Sequence, residues 1–145
     1  MTAISDTKAV FVSRGDDSGT HKKELSLWAE AGVDDDARTV DWYKEAGAGM
    51  GASLNTASGM NGYIMSDRAS WLKFGNKGDL ALLYSGDPEL FNQYAYIPVN
   101  PETHSHVRAD LAQKLEAWLV SDRAKDLIDG YTLKGGRLFI FNAEQ

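Results

Sequence analysis

The sequence contains no cysteine and only three prolines and three histidines in 145 residues. Without cysteine there are no disulfides, no thiol catalysis and no thiolate metal sites, although the compartment is not fixed by this. No apolar run approaches membrane-spanning length, and the opening MTAISDTKAV lacks the apolar region of a signal peptide, so neither membrane insertion nor an export address is expected from the sequence as written. Positive charge is also short. Fifteen Lys and Arg stand against 21 Asp and Glu, and the net charge of −6 argues against nucleic acid or an anionic membrane as the main partner. There is no Walker lysine and no HExxH string.

A chain of 145 residues fits one domain, or one small domain with an appendage, and its 43% hydrophobic content is enough to build a core. The stretch that organises it is AVFVSRGDDSGTHKKELSLW, residues 9–28. Ala9 to Val12 predicts a strand, and the apolar spacing of Leu25, Trp28, Ala29 and Ala31 predicts a helix over 20–31 with Gly32 as its C-terminal stop. Between them, Ser13, Arg14, Ser18, Gly19 and Thr20 gather hydroxyls, unpaired helix N-terminal N–H groups and one planar cation. That set suits an oxyanion, held in a local positive pocket on an acidic body, and Lys22 and Lys23 in the first helical turn are accounted for by the same anion. The same residues also fit a plain arrangement in which Ser18 is an N-cap, Arg14 a solvated loop residue and the lysines an exposed face.

Along the rest of the chain, residues 1–8 are expected to fray and a second helix is expected over 39–46, burying Val40, Trp42 and Tyr43. The glycine string at Gly47, Gly49 and Gly51 opens a helix over 52–58, but no apolar strand precedes it, so a dinucleotide fingerprint is excluded and a turn or a second helix N-terminus remains. Strands are expected at 62–65, 80–84 and 94–99, with a helical turn starting at Ser66-Asp67-Arg68. Gly49, Met50, Gly51, Ser66 and Arg68 are therefore second-tier candidates for the same anion. Val107 to Leu119 predicts an amphipathic helix, Ser121 caps another through Ile128, and Leu138 to Phe141 is a final strand or an apolar tail. Asp34, Asp35 and Asp36 lack calcium-loop spacing, and His104 with His106 lacks a third ligand, so no metal site is expected. Asp17-Ser18-Gly19-Thr20 matches an aspartic-protease string by coincidence, and Asp17, Ser18 and His21 sit too close in sequence to form a relay, so no catalytic residues are assigned. Alternating helices and strands favour an α/β sheet with covered faces.

The strings FVSRGDDSGTHKKELSLW at 11–28, WYKEAGAGMGASLN at 42–55, YIMSDRASW at 63–71 and FNQYAYIPVNP at 91–101 resemble the tungstate-binding periplasmic proteins of ABC transporters, in that family's order and spacing. The resemblance implies an α/β lobe of the periplasmic-binding-protein type II kind, a sheet with helices on both faces. Residues 9–95 would form the second lobe and residues 96–145 would return to an incomplete first lobe. It also implies Arg14 as leading ligand with Ser13, Ser18, Gly19 and Thr20, tungstate or a related oxyanion as ligand with no cofactor, an ABC permease as partner, and a periplasmic location. Family members begin with a signal peptide and about half of the first lobe, which carries the other ligand loop, so the expectation is a fragment or truncated relative. The rival expectation is a structural remnant that self-associates as a homodimer through uncovered apolar surface.

Overall fold

The computed structural model describes residues 1–143. The chain divides into two compact units, Met1–Ser85 and Gly86–Gln145. The first is built on three parallel strands: β1 (Phe11–Ser13), β2 (Tyr43–Glu45) and β3 (Tyr63–Ile64), in the order β2-β1-β3. Phe11 faces Tyr43 on one side and Tyr63 on the other. Being central, β1 is buried on both faces, so its short run is apolar up to Ser13.

Helix α2 (Gly19–Glu30) covers one face. There Phe11, Trp28, Val33, Trp42 and Tyr43 form a buried cluster, with Phe11 and Trp28 edge to face at 5.0 Å between ring centroids. Such pairs gain roughly 0.5–1.5 kcal/mol beyond area burial. Helix α3 (Met50–Met60) covers the other face with Leu54 and Ala57, both fully buried. Helix α4 (Arg68–Lys73) follows β3, and the Asp67 Oδ1 cap accepts from the Ser70 amide at 2.8 Å. Each parallel strand is thus followed by a helix, as parallel pairing requires.

Three sequence expectations fail in this unit. Residues 1–8 do not fray: Thr2–Thr7 forms helix α1, Met1 and Ile4 pack on the aromatic cluster, and the Lys8 ammonium sits 5.2 Å from the Trp42 ring. The expected helix over 39–46 is instead a turn leading into β2, with Trp42 and Tyr43 buried but Val40 79% exposed. Its helix-like spacing yields to pairing, because the Phe11 amide needs the Trp42 carbonyl, 2.8 Å away. Residues 80–84 form no strand, since no neighbouring chain supplies a ladder.

The second unit holds a short 3₁₀ turn (Pro88–Leu90), helices α5 (Ala109–Leu119) and α6 (Asp122–Gly130), and a hairpin of β4 (Thr132–Leu133) and β5 (Gly136–Arg137). Ser121 caps α6 through the Ala124 amide, as expected. Lys134 and Gly135 both have positive φ, which turns the hairpin tightly. Residues 94–99 are not a strand, and Tyr94, Ile97 and Val99 are exposed. Leu138 to Phe141 is the apolar tail and not a strand; the Phe141 amide is held by Asp129 Oδ1 at 2.8 Å.

Candidate functional site

Because the three strands are parallel, the segments after them leave the same carboxyl edge. The loop 14–18 runs into α2, the loop 46–49 into α3, and residues 65–67 into α4. Backbone bonds tie the first two loops together: the Ala46 amide donates to the Ser13 carbonyl at 2.9 Å and the Ala48 amide to the Arg14 carbonyl at 3.2 Å. Gly15 seals the junction. It has φ +59°, and a β-carbon there would lie 2.7 Å from Glu45 Cβ, so both backbone conformation and space demand glycine. Arg14, Ser18–Thr20 and Gly49–Gly51 therefore sit on adjacent loops, with Ser66 and Arg68 following β3 at the same edge.

At the mouth of α2, Ser18 Oγ accepts from the His21 amide at 3.2 Å, a helix cap. That hydroxyl is engaged with backbone and not with the His21 ring, so no relay forms. The Gly19 and Thr20 amides, in the first turn, have no intrahelical acceptor, and the same holds for Met50 and Gly51 in α3. These two helices bring the positive ends of their dipoles to the edge; the six-residue α4 adds little. Met50's side chain is buried, so only its backbone faces outward. Lys22 pairs with Asp17 at 2.9 Å, an exposed pair that accounts for it without an anion.

Arg14 lies close against the protein, its side chain 17% exposed, and its Nη2 donates to Asp16 Oδ2 at 2.5 Å. Asp16 Oδ1 also accepts from the Ser18 amide at 3.2 Å. The Ser18 hydroxyl first, then Arg14 and the Ser18 amide, hold the Asp16 carboxyl below the usual carboxylate range against partial desolvation. Arg14 Nε is buried with no hydrogen-bond partner. An unpartnered buried donor of this kind costs about 1–3 kcal/mol, so its presence at a loop mouth marks a place for an acceptor.

Ser13 behaves differently from expectation. Its Oγ donates to Glu24 Oε2 at 2.8 Å, accepts from the Gly15 amide at 3.1 Å and lies 3.1 Å from His21 Nδ1. One proton given and two lone pairs occupied leave nothing for a ligand, and His21 must present Nδ1–H to complete the set. The side chain thus supports the loop in place of the ligand role expected for it. Glu24, fully buried, gathers this support: Oε1 accepts from Tyr43 Oη at 2.6 Å and from Trp28 Nε1 at 3.3 Å. Burial, then the bond to Glu24, raises the Tyr43 hydroxyl well above the ordinary tyrosine range. Sequence reasoning missed Glu24 and Asp16. The available signal for Glu24 was its place four residues before Trp28, on the stripe that α2 buries.

Elsewhere, Asp34 Oδ1 caps the Ala37 amide and Asp35 pairs with Arg38. Among the described residues no group of three or more His, Asp or Glu is placed to hold a metal ion. No helix among them is long and apolar enough to cross a membrane.

A parallel sheet with loops, helix N-termini and an arginine at its carboxyl edge is an α/β lobe of the class in which that edge is the usual place for a ligand. The chain belongs to the PBP superfamily domain family, which matches residues 2–123. It is 44% identical over 147 residues to the tungstate-binding protein TupA of Peptoclostridium acidaminophilum, an alignment that takes in 99% of this chain and 50% of that protein. Among solved structures, the tungstate-binding protein TupA of Desulfovibrio alaskensis superposes with a TM-score of 0.86 at 42% identity, covering 97% of this chain and 58% of that one. The tungstate ABC transporter structure from Geobacter sulfurreducens superposes at 0.67 with 40% identity, over 88% and 53% of the two chains. The chain spans about half the length of the curated relatives it matches.

Proposed function

We propose that the chain binds a tetrahedral oxyanion, tungstate first, as part of the solute receptor of an ABC uptake transporter, and does no chemistry on its ligand. The observation that carries this is the buried, unpartnered Nε of Arg14 on the loop that runs into the open Gly19 and Thr20 amides of α2. A guanidinium fork and helix N-terminal amides together match an anion with several oxygens. Arg14, Ser18, Gly19 and Thr20 are the ligands in this reading, Ser13 their support, and Gly49, Met50, Gly51, Ser66 and Arg68 a second tier. The names of the relatives support tungstate as the ligand and an ABC transporter as the setting; an ABC permease as partner and a periplasmic location are what the family resemblance implies. Residues 9–95 then serve as the second lobe and residues 96–145 as the segment returning to the first.

Donors from the sheet edge described above leave the far side of an anion hydrated. Affinity is therefore expected to be micromolar or weaker, roughly −8 kcal/mol or less in magnitude. A second reading, self-association, is favoured by the exposed Leu111, Leu115 and Trp118 along α5. Isothermal titration with tungstate, molybdate, sulfate and phosphate, run beside a solution mass, separates the two. Heat with a monomer supports the receptor reading, a dimer without heat supports the remnant, and a dimer that binds tightly points to ligands donated by both copies.

A further inference from the structure

We propose that Asp16 is a built-in competitor for the anion site: its carboxylate occupies the donors that an incoming oxyanion needs, and sets the affinity by having to be displaced. This rests on the oxyanion reading above.

The geometry is that of a stand-in ligand. One oxygen of Asp16 takes Arg14 Nη2 at 2.5 Å and the other takes the Ser18 amide at 3.2 Å, so a single carboxylate bridges the guanidinium and the mouth of α2. An external oxyanion held by the same loop would bridge the same two points. Nη2 and Nε–H form one edge of the guanidinium, suited to two oxygens of one anion. Asp16 engages only Nη2, leaving Nε buried and unpartnered. A carboxylate two residues from the arginine is tethered too closely to offer both oxygens to that edge while the second serves Ser18. A free tetrahedral oxyanion has no such tether. It can satisfy Nε and Nη2 together and still reach the amides of α2, and that difference is the driving force for exchange.

The charges lead to the same conclusion. If Asp16 stayed in place, a dianion would bind beside a carboxylate, and Arg14 is the one cation in residues 14–18. Displacement releases Asp16 to solvent, which its partial exposure of 28% allows. When a binding-competent state is populated only fractionally, apparent affinity falls by that fraction; a carboxylate that holds the site nine times in ten weakens binding about tenfold.

The test is an NMR titration of the Arg14 Nε–H resonance with sodium tungstate at neutral pH, on the full chain and on three variants, with folding checked by circular dichroism. Asp16→Asn keeps an oxygen for the Ser18 amide and removes the charge that holds Arg14. Its midpoint should fall about tenfold below that of the unmodified chain. Asp16→Ala is read the same way and decides the matter if the asparagine variant is misfolded. Asp17→Asn removes the same charge one residue on and should shift the midpoint by no more than about twofold, because an exposed pair is screened. Binding by the unmodified chain with no gain, or a loss, in both Asp16 variants overturns the competitor and leaves the oxyanion reading standing. An equal gain in Asp17→Asn also overturns it, by showing a general charge effect. Binding seen only in the Asp16 variants supports it, and silence in every protein overturns the oxyanion reading itself, and the competitor with it.

Discussion

In Met1–Ser85 a core of large apolar side chains lies inside, stacked as Phe11, Trp28, Trp42 and Tyr43 on one face of a sheet, with Leu54 and Ala57 against the other, while Val40 and residues 82–84 are exposed. In Gly86–Gln145 the same residue types lie outside. Among the described residues only Ala124 is a buried hydrophobic there, while Tyr94, Ile97, Leu115, Trp118 and Ile140 are exposed. Both regions have well-formed, capped helices, so local propensity does not separate them. The separation comes from whether a sheet is present for an amphipathic helix to cover. Helix α2 has such a surface, and α5 shows its apolar stripe to solvent.

The sharpest way to break this comparison is a pair of tryptophan truncations. Trp28→Ala removes a fully buried ring and leaves Glu24 short of a donor, and should cost about 3–5 kcal/mol in denaturant unfolding. Trp118→Ala removes a ring that is 45% exposed and should cost about 1 kcal/mol or less. Equal losses would show that the second unit's apolar face is covered in solution.

A smaller effect concerns what the sheet edge does. Arg14→Ala removes a charge-assisted contact worth roughly 1.5–3 kcal/mol, so titration calorimetry should show oxyanion affinity falling at least about tenfold. Arg14→Lys returns the charge without the fork and should recover only part of it. Unchanged affinity in the alanine variant would remove Arg14 from the site.

The smallest effect is visible only in alkali. The Tyr43 hydroxyl titrates above its unfolded value of 10.0, so folded chains keep a proton that unfolded ones lose. Its contribution is complete below that value and declines as pH rises past it, by at most about 1.4 kcal/mol per pH unit. Tyr43→Phe should flatten the decline in urea unfolding between roughly pH 10 and 11 and remove a late-ionising tyrosine from the ultraviolet titration. A decline that persists in the variant would assign the alkaline loss to another group.

What could be read from the sequence was local. Ser18, Asp67 and Ser121 each carry an oxygen three residues ahead of the amide it accepts, so the starts of α2, α4 and α6 were evident from spacing alone. The loop with Arg14 at its mouth was legible for the same reason. Tyr43 could not be placed this way, because its strand is decided by Phe11 far earlier in the chain and not by its neighbours. Residues 80–84 and 94–99 erred in the opposite sense: both have strand composition, but pairing requires a second chain segment that composition does not report. Asp16 and Glu24 were not among the candidates read from the sequence. Only the fold turns one onto Arg14 and seals the other beneath Tyr43.

The strand order β2-β1-β3 also has a consequence in time. The central strand comes first in the sequence and its two neighbours come later, so while the chain is being made Phe11 has no sheet to join until Tyr43 appears, and none on its other side until Tyr63. At about 5–20 residues per second the second partner arrives roughly 3 to 10 s after Phe11 itself. Until β2 is made the newborn segment carries an apolar strand with both edges bare, and from then until β3 is made one edge stays bare. The Arg14 loop is tied down by the Ala46 and Ala48 amides, so the edge proposed for the anion cannot take shape before residue 48 has been made.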